Sequence, residues 1–284
     1  MVNKTPENCV LRIKAAFMLC RFVITKEVNC LKLVRSEEEF AQLREYFARG
    51  YLLDDVTMVM ALFRTDPEVI KRILPPPLEP APNPTANVYV AEFHKTNFGP
   101  PYNEAALFLS AQYKGELGNY CMSMPVTEDN AMWGGRERYG FPKKIAEIIQ
   151  VKRKGNVATG TCIRRGHTIF KLTVKLAGPF TEEIPSTPNY LVKAFPSATG
   201  EGFDSPPLLI QQHNEINWGE REIGQGTLEI GESNFDPLHE IPVLEVLMAG
   251  YTTNMQIWMK PGKILTQLDK KQYLPYSAIK EDWL

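Results

Sequence analysis

The chain has 284 residues, of which 44% are hydrophobic, and this length fits one large domain with a single core. Lysine and arginine number 32 against 33 aspartate and glutamate residues, so neither sign of charge is in excess. Such a balance is not typical of proteins that bind nucleic acid or a membrane surface, and we predict neither partner. The five cysteines and four histidines lack metal-ligand spacing, so we predict no metal site and reduced thiols in a cytoplasmic protein.

The first 50 residues are predicted to form an N-terminal extension that carries one helix. An apolar run at residues 15–20 is bounded by basic residues and is shorter than the roughly 18 residues that cross a membrane. A leader that resembles a signal or transit peptide and an arm for subunit contacts are alternatives, although no small-residue cleavage site follows. Ser36 and Glu39 have the spacing of a capping box, which predicts a helix from there to about Ala48.

Residues 51–284 are predicted to form one β-rich domain. Asp66 and Pro67 are typical of an N-cap and a first helical position, and Pro75 ends the helix that they begin. Residues 242–249 have apolar side chains at helical spacing and are interpreted as core. The strands that we predict lie at residues 56–63, 88–94, 106–113, 119–124, 145–152, 156–164, 168–176 and 255–259. Six of them in succession indicate an α+β, β-rich fold, an antiparallel meander or barrel with a few flanking helices.

The most informative motif lies in the middle of the chain, GRERYGFPKK at residues 135–144. Pro142 favours extended backbone before it, and continued extension would point Lys143 and Lys144 to opposite faces. A lysine pair is also common on solvated strand edges, so the motif alone leaves a structural role open.

A catalytic role for this motif would need a neutral amine. A free lysine titrates near pH ~10.4, so a nucleophile at neutral pH needs a pKa lowered to about 6, which disfavours the ammonium by roughly 6 kcal/mol. Repulsion between two ammonium groups about 7 Å apart supplies roughly 2.4 kcal/mol at an effective dielectric of ~20. We therefore expect burial to be the larger influence on Lys143, with Phe141, Met122 and Met124 as apolar walls and Lys144 as a weaker field.

The motif resembles the active-site signature of the acetoacetate decarboxylase family, in which Gly-Arg-Glu is followed five residues later by Pro-Lys-Lys. The resemblance extends over roughly residues 56 to 268 and includes FRTD at 63–66, LPPPLE at 74–79 and YNE at 102–104. It implies the acetoacetate decarboxylase-like fold, a closed homo-oligomer and an enzyme without a cofactor. The first lysine of the signature is the family's Schiff-base residue, so the resemblance assigns that role to Lys143.

The resemblance also implies a set of residues around this lysine. Glu104 corresponds to a family active-site acid and joins Lys143 and Lys144 as the candidate catalytic residues. Arg136 and Glu137 are candidates for orienting the lysine loop, or for an ion-pair scaffold. The candidate substrate-binding residues are Tyr89, Met124, Arg136, Glu137, Phe141 and Tyr251.

The chain departs from the decarboxylase pattern at pocket positions. Val56 stands where the decarboxylase carries a pocket arginine, so a contact to the substrate carboxylate is missing. Tyr89 aligns with a second pocket glutamate of the decarboxylase, and Glu92 would take that place only after a shift of the alignment. Members of the superfamily outside the true decarboxylases use a pocket tyrosine and a late-chain tyrosine in aldolase, dehydratase or cyclisation reactions, a pattern that Tyr89 and Tyr251 resemble.

Three functions therefore remain open. The leading hypothesis is a Schiff-base lyase that decarboxylates acetoacetate or a related β-keto acid through an imine on Lys143, with a small keto acid as its substrate. The second is a Schiff-base aldolase or dehydratase that acts on pyruvate and an aldehyde, which Val56 and Tyr89 favour. The third is a non-catalytic barrel that binds an apolar carbonyl ligand, and it would require a solvated Lys143.

Overall fold

The computed structural model describes residues 33–281, which fall into two units that divide between Phe47 and Ala48. The first unit contains α1 (Glu37–Phe47). Its N-terminus has the predicted capping box, because the Glu39 amide donates to Ser36 Oγ at 3.3 Å and the Ser36 amide donates to Glu39 Oε2 at 2.8 Å. The apolar run at residues 15–20 lies outside the described residues. Within residues 33–281, no helix is both long enough and apolar enough to cross a bilayer.

The second unit is built on one sheet of 15 strands. In chain order the strands are β1 (Tyr51–Arg64), β2 (Glu79–Pro80), β3 (Thr85–Thr96), β4 (Tyr102–Tyr113), β5 (Glu116–Val126), β6 (Lys143–Ile145), β7 (Ile148–Lys154), β8 (Val157–Arg164), β9 (His167–Pro179), β10 (Asn189–Lys193), β11 (Leu208–Gln212), β12 (Asn214–Asn217), β13 (Glu220–Ile230), β14 (Glu245–Met259) and β15 (Lys263–Gln267). The helices are α2 (Pro67–Ile73), α3 (Asp129–Gly134), a π-helix (Gly135–Tyr139), α4 (Lys270–Tyr273) and α5 (Ala278–Glu281), with 3₁₀ turns at Leu238–Glu240 and Leu274–Tyr276.

The strands pair in the order β15-β11-β10-β5-β4-β3-β1-β14-β13-β9-β8-β7, with β12 on β14, β2 on β4 and β6 on β5. Two consecutive antiparallel series, β3-β4-β5 and β7-β8-β9, confirm the predicted meander and the β-rich class. The predicted barrel is not confirmed. Among the described residues the sheet stays open, with β15 and β7 as its edges, and β5 takes two parallel partners, β10 and β6, in place of a continued meander.

Local signals predicted the first helix of the second unit and misled us elsewhere. α2 begins after Asp66, whose Oδ1 accepts the Glu68 amide at 2.8 Å, and ends at Ile73, as predicted. The predicted strand at residues 145–152 is divided between β6 and β7.

The helical spacing at residues 242–249 was also misleading, because most of this segment belongs to β14. Its solvent side carries Leu247, which is 40% exposed, and the residue before the strand, Leu244, is 60% exposed. These exposed apolar residues conceal the alternation that would have indicated a strand.

Alternate residues of β1 and β3 face two separate apolar layers. Val59 and Val88 point into the main core, the large buried cluster that also receives Ile70 of α2. Met58 and Tyr89 point to the opposite side of the same strands, where a second layer surrounds a cavity. The sheet therefore separates the core that stabilises the fold from the residues that form the candidate site.

Candidate active site

Lys143 begins β6, and its register partner is Met124 near the end of β5. Parallel neighbours need a crossover connection, which here runs through α3 and the π-helix. Two glycines of the motif allow the backbone to pack closely around the lysine. A Cβ at Gly135 would lie 2.5 Å from Lys143 Cε, so the missing side chain makes room for the lysine stem. Gly140 has a φ of 87° and contacts the backbone of β10, where a Cβ would come within 2.6 Å of main-chain atoms.

The Lys143 ammonium is buried against a carboxylate. The residue is 3% exposed, and its Nζ lies 2.5 Å from Oε2 of Glu104, which is itself 4% exposed. The rings of Tyr102 and Phe141 flank the same nitrogen, with centroids 5.4 Å and 5.8 Å away. Burial disfavours the charged amine and the carboxylate favours it. Passing the proton from Nζ to Glu104 leaves a neutral amine beside a neutral acid, with no net charge added to the site.

Two tyrosines complete the surroundings of Glu104. The Tyr89 hydroxyl donates to Oε1 at 2.5 Å, and the Tyr102 hydroxyl donates to Oε2 at 3.4 Å. The sheet register explains both contacts, because Tyr89 is the diagonal neighbour of Glu104 across the β3–β4 pair and Tyr102 lies two residues away on the same face of β4. Burial, and then the negative charge of Glu104, raise the pKa of Tyr89 and of Tyr102 well above their ordinary value. Both hydroxyls therefore remain donors at neutral pH.

Lys144 points to the other side of β6. Its Nζ lies 3.1 Å from Oδ1 of Asp236, whose Oδ2 accepts from Arg164 at 2.5 Å. The three residues are 6%, 1% and 3% exposed, respectively, so they form a buried charged cluster. Lys144 does not line the apolar cavity beside Glu104, but together with Lys143 and Arg136 it lines a second cavity of about 450 Å³.

The cavity beside Lys143 has a volume of about 360 Å³. Lys143, Glu104 and Tyr89 line it, as do the candidates Met124 and Phe141. Its remaining lining is mainly apolar, and it includes six methionines in all: Met58, Met60, Met124, Met248, Met255 and Met259. Met122, which we expected as a wall, packs against the main core.

A segment that carries several polar side chains covers part of the cavity. It is formed by residues 184–187 and by β12, and both line the cavity. The Asn119 side chain donates to Thr187 Oγ1 at 2.8 Å, and Ser186 Oγ donates to the Asn214 carbonyl at 3.2 Å. These hydrogen bonds tie the segment to β5 and β12.

Three further candidates lie outside this lining. Arg136 donates from Nη1 to the carbonyl oxygens of Lys143 at 3.0 Å and of Lys280 at 3.1 Å, so it holds the lysine loop through the backbone. Glu137 lies half-buried on the π-helix. Tyr251 packs under the Arg153 guanidinium, 5.1 Å from its ring centroid, and lines a smaller neighbouring cavity of about 30 Å³.

Sequence reasoning missed several residues of the two buried clusters. Tyr102 shares its strand face with Glu104, and the two-residue spacing within one strand was a signal that could have found it. Asp236 and Arg164 lie 92 and 20 residues from Lys144, and no local pattern links them. Elsewhere, Cys121 and Cys162 are buried free thiols. Among the described residues no three His, Cys, Asp or Glu side chains converge as metal ligands.

A β-rich fold that places a buried lysine and carboxylate at an apolar cavity is the arrangement expected of an imine-forming enzyme. The family that this site implies is shown by sequence, because residues 38–267 match the family model of acetoacetate decarboxylase (ADC). The chain therefore belongs to the acetoacetate decarboxylase family and is a carbon–carbon lyase of that type. Membership of an enzyme family and the burial of Lys143 together argue against the non-catalytic alternative.

The similarity extends over most of the chain. The acetoacetate decarboxylase of Burkholderia vietnamiensis is 28% identical over 215 residues, which cover 70% of this chain and 82% of that protein. The crystal structure of acetoacetate decarboxylase from Legionella pneumophila has a TM-score of 0.69 at 20% identity, covering 78% of this chain and 88% of that one.

A second type of enzyme shares the fold. The enduracididine biosynthesis enzyme MppR, solved with the condensation product of pyruvate and imidazole 4-carboxaldehyde, has a TM-score of 0.67 at 20% identity. The alignment covers 76% of this chain and 89% of MppR. At these identities the solved structures show a common fold, and the choice of substrate has to be argued from the site itself.

Proposed function

We propose that the protein is a Schiff-base lyase that decarboxylates a β-keto acid through an imine on Lys143. The observation that carries this proposal is the 2.5 Å contact between Lys143 Nζ and Glu104 Oε2, both buried at the edge of an apolar cavity. The lysine supplies the nucleophile, Glu104 takes its proton, and the apolar walls restrict access of bulk water.

The reaction starts when Lys143 Nζ passes a proton to Glu104. The neutral amine attacks the ketone carbon, and the hydroxyl of the adduct takes the proton from Glu104 and leaves as water, which gives an iminium. Cleavage of the bond to the carboxylate releases carbon dioxide, and its electron pair moves into the iminium to form an enamine. Glu104 takes up a proton from solvent and passes it to the enamine carbon, and water then hydrolyses the iminium to free the ketone and the Lys143 ammonium. One β-keto acid anion and one proton thus give one ketone and one carbon dioxide, with no net redox change.

The neighbouring residues have supporting roles in this scheme. Tyr89 and Tyr102 donate to Glu104 and orient its oxygens toward the lysine. Arg136 positions the lysine loop through the Lys143 carbonyl. Lys144 holds the opposite side of β6 through Asp236 and acts as a positioning residue.

A second candidate is condensation of pyruvate with an aldehyde. The hydrogen bond from Tyr89 to Glu104 favours it, because two adjacent proton-transfer groups suit the successive addition and dehydration steps. The solved MppR complex with a pyruvate condensation product shows that this fold accommodates such a product.

Reduction with sodium borohydride tests the shared imine step. Incubation with acetoacetate, with 3-oxooctanoate or with pyruvate, followed by borohydride and peptide mass spectrometry, is expected to give an adduct on Lys143. The K143M variant should give none, whereas K152M, which alters an exposed lysine of β7, should give the same adduct. No adduct with any keto acid would overturn both candidates. Release of carbon dioxide from the β-keto acids would favour the decarboxylase. A condensation product from pyruvate and an aldehyde would favour the second candidate.

We further propose that the protein is cytoplasmic and assembles as a homo-oligomer, with residues 51–284 acting as one domain after an extension of residues 1–50. The buried free thiols of Cys121 and Cys162 fit a reducing compartment. Exposed apolar side chains such as Leu244 and Ile264, each 60% exposed, fit a surface that associates. Light scattering after size exclusion tests the oligomer, and a monomer at micromolar concentration would contradict it.

A further inference from the structure

We propose that the physiological substrate is a β-keto acid with an extended linear apolar chain on its carbonyl carbon, and that this chain lies along the methionine-lined cavity. Because it concerns the same site, this inference rests on the proposed function. It is carried by the length of the cavity, by its chemistry and by the position of the lysine within it.

The cavity is long. Strand β3 contributes Asn87, Tyr89 and Phe93 to its lining, and six residues of extended strand span about 20 Å. A cavity whose lining extends over that length is elongated like a channel, which suits a chain better than a compact acid.

The reacting groups lie toward one end of this channel. Glu104 pairs with Ala91, close to the Phe93 end of β3, whereas Asn87 lies about 14 Å away along the strand. A ketone bonded to Lys143 therefore leaves most of the channel to the rest of the substrate. Acetoacetate, with only a methyl group beyond its ketone, would leave that length empty of substrate.

The channel is mainly apolar, although four asparagines, Ser186 and Thr187 also line it. Six of the ten methionines of the chain line it, and Trp218 lies among them. Methionine is unbranched and adapts its shape to flexible apolar ligands. Lys143 is the one basic side chain in the lining among the described residues, so charge recognition is confined to the reacting end. The burial of Val56 beside Phe93 and Met255 keeps even that end largely apolar.

A chain-length series tests this assignment in the intact protein. Decarboxylation of acetoacetate, 3-oxohexanoate, 3-oxooctanoate and 3-oxodecanoate is followed by carbon dioxide release, corrected for the spontaneous reaction without enzyme. Each buried methylene is expected to raise kcat/KM about fourfold until the channel is full, which is roughly 250-fold from acetoacetate to 3-oxooctanoate. A flat series, or one in which acetoacetate is preferred, would overturn the inference.

Binding without chemistry separates this inference from the proposed function. In K143M no imine can form, yet the channel remains, so 2-heptanone is expected to quench the fluorescence of Trp218 at much lower concentration than acetone does. W218F should abolish that signal, which identifies the reporter. Equal affinities for the two ketones would overturn the inference. Borohydride adducts on Lys143 together with a flat chain-length series would support the proposed function and contradict the long-chain substrate. Tight binding of 2-heptanone without any adduct would contradict the proposed function and support an apolar channel that binds chains.

A bulky substitution at the far end provides a second control. Met248 pairs with Leu62, which in turn pairs with Asn87, so a tryptophan at position 248 would shorten the channel at the end remote from Lys143. M248W is expected to reduce the preference for 3-oxodecanoate over 3-oxohexanoate by at least about tenfold. An unchanged preference in a folded M248W protein, verified by circular dichroism, would contradict this placement of the chain.

Discussion

Lys143 and Lys144 are adjacent and buried, and each contacts a buried carboxylate, yet the two carboxylates have different surroundings. Glu104 receives its other hydrogen bonds from two neutral tyrosine hydroxyls and lines the cavity. Asp236 accepts from a second cation, Arg164. One lysine therefore shares its counter-ion with neutral donors, and the other shares it with a guanidinium.

This difference bears on which lysine can act as a nucleophile. A proton can pass from Lys143 to Glu104 because the pair then becomes two neutral groups, and the tyrosines can still donate. Protonating Asp236 would remove a counter-charge from Arg164 as well as from Lys144, and loss of a partner in a buried ion pair costs several kcal/mol. Under the proposed mechanism, the partners of the carboxylate, more than burial itself, distinguish the lysine that reacts from the lysine that stabilises the fold.

Exchanging each lysine for methionine tests the comparison most directly. K143M is expected to lower kcat/KM for decarboxylation by at least about 10⁴-fold, because the nucleophile is lost. K144M is expected to destabilise the fold by about 3 kcal/mol, since Asp236 loses one buried partner, while the folded protein still forms the imine. Steady-state kinetics and urea unfolding on both variants measure these outcomes. A K144M protein of normal stability that forms no imine would reverse the two roles.

Removing the proton acceptor is expected to have the next largest effect. E104Q keeps the size of the side chain but cannot accept the lysine proton, so kcat should fall about 10²- to 10⁴-fold. Borohydride trapping of E104Q with 3-oxooctanoate should be slowed by a similar factor. Trapping at the normal rate would show that another group deprotonates Lys143.

On the structural side, D236N weakens both ion pairs of the Lys144 cluster. The expected loss is about 3–5 kcal/mol in the free energy of unfolding, measured by urea denaturation. E229Q is a matched control, because Glu229 and Lys171 form a pair at 3.3 Å with side chains 68% and 53% exposed. That exposed pair should contribute less than about 1 kcal/mol. Equal effects of the two variants would contradict a buried cluster at Asp236.

The smallest effect is expected for removal of one of the neutral tyrosine donors to Glu104. Y89F removes the hydroxyl that donates to Glu104 and is expected to lower kcat about tenfold or somewhat more. Burial and the Glu104 charge raise the pKa of Tyr89, so its protonated form stabilises the fold fully below about pH 10 and this contribution is lost as the pH rises further. Urea midpoints at pH 8 and pH 11 should therefore differ less in Y89F than in the parent protein. An equal decrease of the urea midpoint between pH 8 and pH 11 in Y89F and in the parent protein would show that Tyr89 does not contribute to the pH dependence of stability.

How much of the fold could be predicted from the sequence depends on the separation along the chain of the residues that determine each feature. The caps at Ser36 and Asp66 need only neighbouring residues, and both predictions were confirmed. The helical spacing at residues 242–249 failed because solvent-exposed leucines mimicked it. Whether the sheet closes into a barrel could not be predicted, because that depends on which distant strands pair with β5 after the crossover.

The same rule applies to the site. Lys143 and Glu104 were proposed from motif resemblance, and the structure places them in contact. The Asp236 cluster was missed because its members come from β6, from β8 and from the loop that follows β13. The channel was missed for a related reason. Its methionines lie on β1, β5 and β14, and the sequence shows a local alternation at Met58 and Met60 and at Met255 and Met259 but no link between the strands.

The concentration of sulfur in the channel has a consequence for redox chemistry. Oxidation converts a flexible apolar methionine into a polar sulfoxide, and the change is reversible by dedicated reductases. Six such side chains line one cavity, so mild peroxide treatment is expected to make the channel polar while the lysine itself is unchanged. The enzyme would then lose its preference for long chains before it loses its ability to form an imine, and reduction of the sulfoxides would restore that preference.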